Sequence, residues 1–261
     1  MNQQLDWRRL GLLIRNDFLN GLRRFLIAFM VIGIIGILNA IPSAGFGAMQ
    51  EGFYDRWFVG MMIIWGTIHA SLEFNELGDK RLNEGFLLLP ASTLEKTLAR
   101  YLNSTVIFTL YVLVFMTLLP LLLEGINLML FGRNNGLFNP FSIFTWRIIG
   151  VFMLIQPVFF LGGAWFRRTR WFKTVISVFV ICALLGLIGC LVFFILFAGD
   201  MGGFFQGNGF TFNDGLNWRV NDDVFAGIVI GLKVLCYAVA PPFCIYLTWL
   251  RVQETQASHG I

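Results

Sequence analysis

An all-α, polytopic membrane protein is the fold class this sequence predicts, and three observations predict it. First, 57% of the 261 residues are hydrophobic and only 13% are charged, against about 25% charged in soluble domains. With a mean hydropathy of +0.74, the chain has too little polar surface to cover a globule of its size. Second, its apolar residues gather in runs long enough to cross a hydrocarbon core of about 30 Å as helices, without the alternation of barrel strands. Third, Lys and Arg collect in every second connecting segment, the asymmetry that orients helical membrane proteins. The net charge of +4 is therefore no sign of nucleic-acid binding, since its placement matters more than its sum. The 29 Phe and 8 Trp suit lipid-facing and interfacial surfaces.

The elements follow in order. In residues 5–24, Leu10, Ile14, Phe18 and Leu22 recur every four residues, with Leu13 beside them and Arg8, Arg15, Asn16 and Arg23 largely elsewhere on the wheel. This predicts an amphipathic helix lying in the cytoplasmic interface, an anchor or a docking element. Six spans are expected, at about residues 25–41, 57–72, 105–123, 148–166, 175–197 and 224–250. The second is short, and the last is long enough to be tilted, broken or preceded by a non-spanning turn. Small residues after the first span, Ser43, Ala44 and Gly47, are compatible with a cleaved signal peptide. The long charged, amphipathic stretch ahead of it suits a retained helix better.

Arg8, Arg9, Arg15, Arg23 and Arg24 precede the first span. Lys80, Arg81, Lys96 and Arg100 lie between the second and third, Arg167, Arg168, Arg170 and Lys173 between the fourth and fifth, and Arg251 after the sixth. The opposite loops hold only Arg56, Arg133, Arg147 and Arg219. Six spans put every heavily basic segment on one side, with both termini cytoplasmic. The expected layout is one transmembrane domain over 1–261: interfacial helix 1–24, helices 1 and 2 in 25–72, a cytoplasmic helical region 73–104, helices 3–6 in 105–250 and a cytoplasmic tail 251–261.

The region 73–104 is far longer than the two to eight residues that reverse a helical chain, and long structured loops usually carry function. Its upstream part is a polar elbow with Glu73, Glu76, Asp79, Lys80, Arg81 and Glu84 between breakers Gly78 and Gly85. Pro90 ends what precedes it. Ser92 with Glu95 three residues on forms a capping-box pattern. Beyond the cap, Leu94, Leu98, Tyr101 and Leu102 share one face, and Glu95, Lys96 and Arg100 are expected to offer charge on the other. A fresh helix thus starts at a definite point and runs into span three.

The stretch Leu87-Leu88-Leu89-Pro90-Ala91-Ser92, followed by Glu95-Lys96 and Arg100, resembles the segment between the second and third spans of small bacterial ABC-2-type permeases, the membrane subunits of type-2 ABC exporters. The sharp motif covers about 15 residues, and the architecture matches over nearly the whole chain. The resemblance implies a half-transporter in the bacterial cytoplasmic (inner) membrane that pairs with a second permease subunit, as a homo- or heterodimer. It also implies that a separate ABC ATP-binding subunit docks on the cytoplasmic helices, with Glu76, Pro90, Ser92, Glu95, Lys96 and Arg100 as candidate coupling residues.

The chain carries no G-x-x-x-x-G-K-[ST] loop, so ATP would be bound and hydrolysed by that partner and this subunit would be no enzyme. Neither G-x-S-x-G nor H-E-x-x-H occurs, and no catalytic residue or cofactor is expected. Cys182, Cys190, Cys236 and Cys244 all fall in apolar runs with no C-x-x-C pair and read as free, buried thiols. With the two histidines, His69 and His259, far apart, no metal site is expected. Two polar groups fall in the spans: His69 near the inner end of the second, a substrate contact or a residue bonded to a neighbouring helix, and Lys233 in the sixth, facing a cavity or snorkelling.

Few buried charges favour an exporter driven by ATP from outside the membrane over an ion-coupled carrier, which would also show internal repeats. The alternative is a non-transporting integral membrane scaffold or immunity protein. The external segments are 124–147, with a turn at Arg133-Asn134-Asn135-Gly136, and 199–222, whose Gly, Asn and Asp read as turns with short strands or helical pieces and whose aromatics suit the outer interface, as a substrate exit lid or a plain interfacial loop. Asp200, Asp214, Asp222 and Asp223 form no calcium loop.

Overall fold

A computed structural model describes residues 6–46, 52–75, 91–132, 136–166, 169–197, 230–231 and 233–258. Every regular element among them is helical. Helix α1 spans Trp7–Phe46. Helix α2, Phe53–Gly60, passes through a π-helical turn, Met61–Trp65, into α3, Gly66–Leu72. Helix α4, Thr93–Leu102, passes through a second π-turn, Asn103–Ile107, into α5, Phe108–Phe131. Helix α6 is Ile143–Trp165 and α7 is Arg170–Phe197. A third π-turn, Leu235–Val239, leads into α8, Ala240–Ser258. Four stretches are long and apolar enough to cross a membrane: Thr93–Met129, Ile143–Trp165, Arg170–Leu191 and Leu235–Thr255. Helix α1 adds a shorter apolar stretch, Phe29–Leu38. The described chain is that of a helical membrane protein.

Helix α1 departs from expectation. The interfacial helix and the first span, read as two pieces meeting near residue 24, form one uninterrupted helix. The boundary had been inferred from charge. The residues around it, Leu22-Arg23-Arg24-Phe25-Leu26-Ile27-Ala28, include no Pro or Gly and favour helix, so nothing stops the chain. The start of α4 follows the sequence. The Ser92 backbone is extended, its Oγ accepts the Glu95 N–H and Glu95 accepts the Ser92 N–H, a complete capping box.

The chain divides into two units, Met1–Trp171 with Pro241–Ile261, and Phe172–Ala240. In the first, contacts fix the direction of each helix. Asp6 bonds Glu95, Phe18 stacks on Tyr111, and Gly33 and Gly36 face Phe115 and Leu119, so α1 runs parallel to α4–α5. Helices α2–α3 run the opposite way, with Tyr54 bonded to Glu124 and Gly66 against Phe108. Helix α6 runs with α2–α3, setting Phe152 against Gly66 and Gly163 against Ser71. Val252 of α8 packs with Phe74 and Phe160.

The apolar core lies between these helices. Phe58, Met62, Phe108, Val112, Met116 and Phe152 are buried at its centre. The approach of α3 to α6 is close because both sides are small there: Gly163 meets the main chain of Ser71, and the neighbouring Ala70 and Gly162 are buried too. Such small-residue contacts let helices meet where lipid gives no hydrophobic drive between them. In the second unit, α7 from Phe172 onward carries its apolar side chains largely exposed, as a surface solvated by lipid would be. Cys182, Cys190 and Cys236 are exposed and Cys244 half-buried. The thiols are free as expected but not buried as expected, because apolar side chains on a spanning helix face outward as readily as inward.

Candidate functional site

The polar side chains of the first unit gather at its two ends. At one end, Tyr54 Oη donates to Glu124 Oε1 at 2.7 Å and Asn127 Nδ2 donates to the same oxygen at 3.4 Å. At the other, Asn103 Nδ2 donates to Glu73 Oε1 at 3.2 Å, His69 Nε2 lies 3.4 Å from that oxygen, and the Arg100 guanidinium donates to the Glu73 main-chain carbonyl while sitting 5.9 Å over the Phe74 ring. At 1.5 Å per residue, Asn103 to Glu124 spans about 32 Å and Tyr54 to Glu73 about 29 Å. Both match the thickness of a bilayer's hydrocarbon. The two polar clusters therefore bracket an apolar slab.

From the second cluster a polar thread leads inward through α3, α6 and the π-turn at Asn103–Ile107. Gln156 Nε2 donates to Ser104 Oγ at 2.7 Å, and Ser104 Oγ donates to Tyr101 O. Trp171 Nε1 donates to Thr67 Oγ1 at 3.1 Å, and Ser71 Oγ to Thr67 O at 2.9 Å. The π-turn at Asn103–Ile107 buries Asn103, Ser104 and Thr105 in succession. Widened turns of this kind recur at functional positions in helices.

The most connected residue is Glu95. Its Oε2 accepts the Ser92 N–H at 2.8 Å, and its Oε1 accepts the main-chain N–H of Asp6 at 2.8 Å. Asp6 in turn caps α1, its Oδ1 taking the Arg8 N–H at 2.9 Å. One carboxylate thus serves the N-termini of two parallel helices, where both helix dipoles favour negative charge. It stands eight residues ahead of Asn103, outside the apolar slab. These N–H donors, led by that of Asp6, hold its carboxyl below the ordinary carboxylate range.

The sequence-predicted residues fall as follows. Ser92 and Glu95 form the cap. Glu95, Lys96 and Arg100 are 1%, 3% and 7% exposed, so the expectation that they offer charge outward is corrected. Helix α4 is inside-out: its polar face, Thr93, Lys96, Thr97 and Arg100, is buried, while Leu94, Leu98, Tyr101 and Leu102 are half-exposed. Glu76, Pro90, the breakers Gly78 and Gly85, and the external stretch 199–222 lie outside the described residues. His69 stacks on Phe108 at 5.1 Å, and its charged neighbour, Glu73, is on its own side of the helix pair one turn on. Lys233 stands exposed two residues ahead of the apolar stretch Leu235–Thr255.

The sequence reading missed Gln156, Ser104, Tyr54 and Asn127. A glutamine in the middle of an otherwise apolar span is a signal in itself, although it carries no charge. Among the described residues no three His, Cys, Asp or Glu side chains gather to hold a metal ion.

A polytopic helical protein with polar clusters at both ends of an apolar slab, and with two helix starts joined on one carboxylate, is the class these features define. No family model, curated protein or solved structure matches the chain.

Proposed function

We propose that this protein is the membrane-spanning permease subunit of an ATP-driven exporter of the ABC-2 type. In this reading six spans place both termini in the cytoplasm of a bacterial inner membrane. The solute path forms between two permease subunits, and a separate ABC ATP-binding subunit supplies the energy. The observation that carries it is the helix start at Ser92. The stretch resembling the ABC-2 coupling segment ends on a capped helix that continues without a break into a membrane-crossing helix. Force applied at the loop then reaches the span through one rod, and the Glu95–Asp6 bond shares it with α1.

The helix directions support the topology. The start of α1, the Glu73 and Arg100 region, the start of α7 at Arg170 and the Val252 region of α8 lie at one end. Arg170 Nη2 donates to Asn75 O at 3.3 Å, and Val252 packs beside Phe74. An even number of crossings fits this arrangement, and the basic residues Arg8, Arg9, Lys96, Arg100, Arg170 and Arg251 belong to that end.

The test is purification of the full chain from its native membrane in mild detergent, with identification of what accompanies it and a photo-crosslinking residue at Leu94, on the half-exposed face of α4. A P-loop ATPase that co-purifies and crosslinks there supports both the exporter and its docking on this helix. Co-purification without the crosslink keeps the exporter and moves the docking site. A folded protein that brings no ATPase overturns the reading in favour of a membrane scaffold or immunity protein.

A further inference from the structure

We infer that the outward face of the first half of α1 is a binding surface for anionic phospholipid headgroups. Helix α1 holds 40 residues, about 60 Å of helix, twice the hydrocarbon thickness. Its first turns, up to about the level of Asn103, must therefore lie beyond the slab or along its surface. Asp6 is bonded to Glu95 and Phe18 is stacked on Tyr111 at 5.5 Å. The residues between them thus run beside the segment holding Asn103, where the polar cluster marks the edge of the slab.

The side turned to the protein is the stripe the sequence made most visible: Leu10 is buried, and Ile14, Phe18 and Leu22 are half-buried. A second stripe is left outside. Leu12 and Leu19 are 60% and 55% exposed, and Leu26 continues the line at the same seven-residue spacing. Leu12 lies near the edge of the slab and Leu19 and Leu26 continue the stripe into it, so one apolar surface leads from the headgroup level into the acyl chains. Arg8 lies four residues before Leu12 and Arg15 three after it, on the same helix face, and both are exposed. Trp7, exposed at the helix start, is a residue type that favours the headgroup level.

Leucines alternating with arginines on one exposed face suit a single surface. Acyl chains cover the leucines, and phosphates receive the guanidiniums, which present planar, paired donors to a phosphate. The negative charge of anionic lipids complements Arg8 and Arg15. Arg9, 3.5 Å from Asp6, is partly neutralised and contributes less. This inference stands apart from the exporter reading and holds for a scaffold as well.

The experiment uses the full-length protein in detergent, titrated with phosphatidylglycerol or phosphatidylcholine and followed by native mass spectrometry of bound lipid. Arg8→Gln with Arg15→Gln is the variant, and its melting temperature in phosphatidylcholine should equal that of the unmodified protein. The unmodified protein is expected to prefer phosphatidylglycerol. The variant should lose about 25-fold in that affinity, from about five-fold per arginine at an anionic surface, with phosphatidylcholine binding unchanged. Equal affinity for the two lipids, or a variant that binds phosphatidylglycerol as the parent does, overturns the inference. A photo-crosslinking residue at Leu12, between the two arginines, in native membranes locates the contact. Lipid adducts support it, and adducts with a second copy of the chain overturn it in favour of a helix–helix contact.

Discussion

Substitution of Gly163 by alanine is the sharpest probe of the close α3–α6 contact. A Cβ at this position would lie 2.6 Å from the Ser71 carbonyl oxygen and 3.0 Å from that residue's carbonyl carbon and Cα. All three are main-chain atoms of a packed helix, so no rotamer change relieves the overlap and α6 must move off α3. Overpacking of this kind costs about 1–3 kcal/mol. Gly150→Ala is the matched control, on the same helix with nothing within 4 Å of its Cβ. It keeps the helix-propensity gain of up to about 1 kcal/mol without the clash. At about 2–4 °C per kcal/mol for a chain of this size, Gly163→Ala should melt about 2–12 °C below Gly150→Ala when tryptophan fluorescence is followed in lipid nanodiscs. Ser71→Gly in the Gly163→Ala background should restore nothing, since the clashing atoms are main chain. If the two alanine variants melt together, or if Ser71→Gly rescues, the close main-chain approach of α3 and α6 is wrong.

Glu95→Ala should release both helix starts, at about 1 kcal/mol per cap, seen as faster amide exchange at residues 6–10 and 92–96. Glu95→Gln, with one acceptor oxygen, should keep one of the two bonds and fall between. The Glu95 carboxyl is held below its ordinary value of 4.5, so the clasp's contribution is complete above that value and is lost as pH falls through the lower folded one; protection factors, taken relative to the intrinsic exchange rate at each pH, that instead fall as pH rises above 4.5 would contradict the assignment. Tyr54→Phe removes the 2.7 Å donor to the buried Glu124 carboxylate and should lower stability by about 1.5–3 kcal/mol. Gln156→Leu deletes only the bond to Ser104, which still has Tyr101 O. Interhelical bonds in membranes average about 0.6 kcal/mol, so its melting should shift by less than half that of Tyr54→Phe.

Fold class was legible because composition and run length are global signals that no single misread residue can reverse. The cap at Ser92 was legible because it is local chemistry, two side chains satisfying two main-chain donors three residues apart. What remained hidden depends on which face of a helix meets its own protein and which is left outside. Soluble-protein logic turns leucines inward and charge outward. Helix α4 does the reverse, burying Lys96 and Arg100 and leaving Leu94 and Leu98 half-exposed. The partners of the buried charges were out of reach for the same reason: Glu73 meets Asn103 and Arg100 only because α3 and α4 pack antiparallel, and nothing in the spacing of residues 69–103 states that.

The inward turn of α4 changes how the loop can communicate with the spans. If Glu95, Lys96 and Arg100 were a solvated charge patch, a partner would read them directly and their removal would abolish docking alone. Buried as they are, they bind α4 to its own chain: Glu95 to the start of α1, and Arg100 to the main chain at the end of α3. A partner pressing on the half-exposed leucine face or on the preceding loop would then move three helix ends together. In the exporter reading the charged triad is therefore the joint and the loop is the handle. Substitutions in the triad should leave partner binding intact while uncoupling ATP hydrolysis from transport, and substitutions between Glu76 and Pro90 should weaken binding itself. A triad variant that loses the partner while its melting temperature stays that of the parent would reverse those roles.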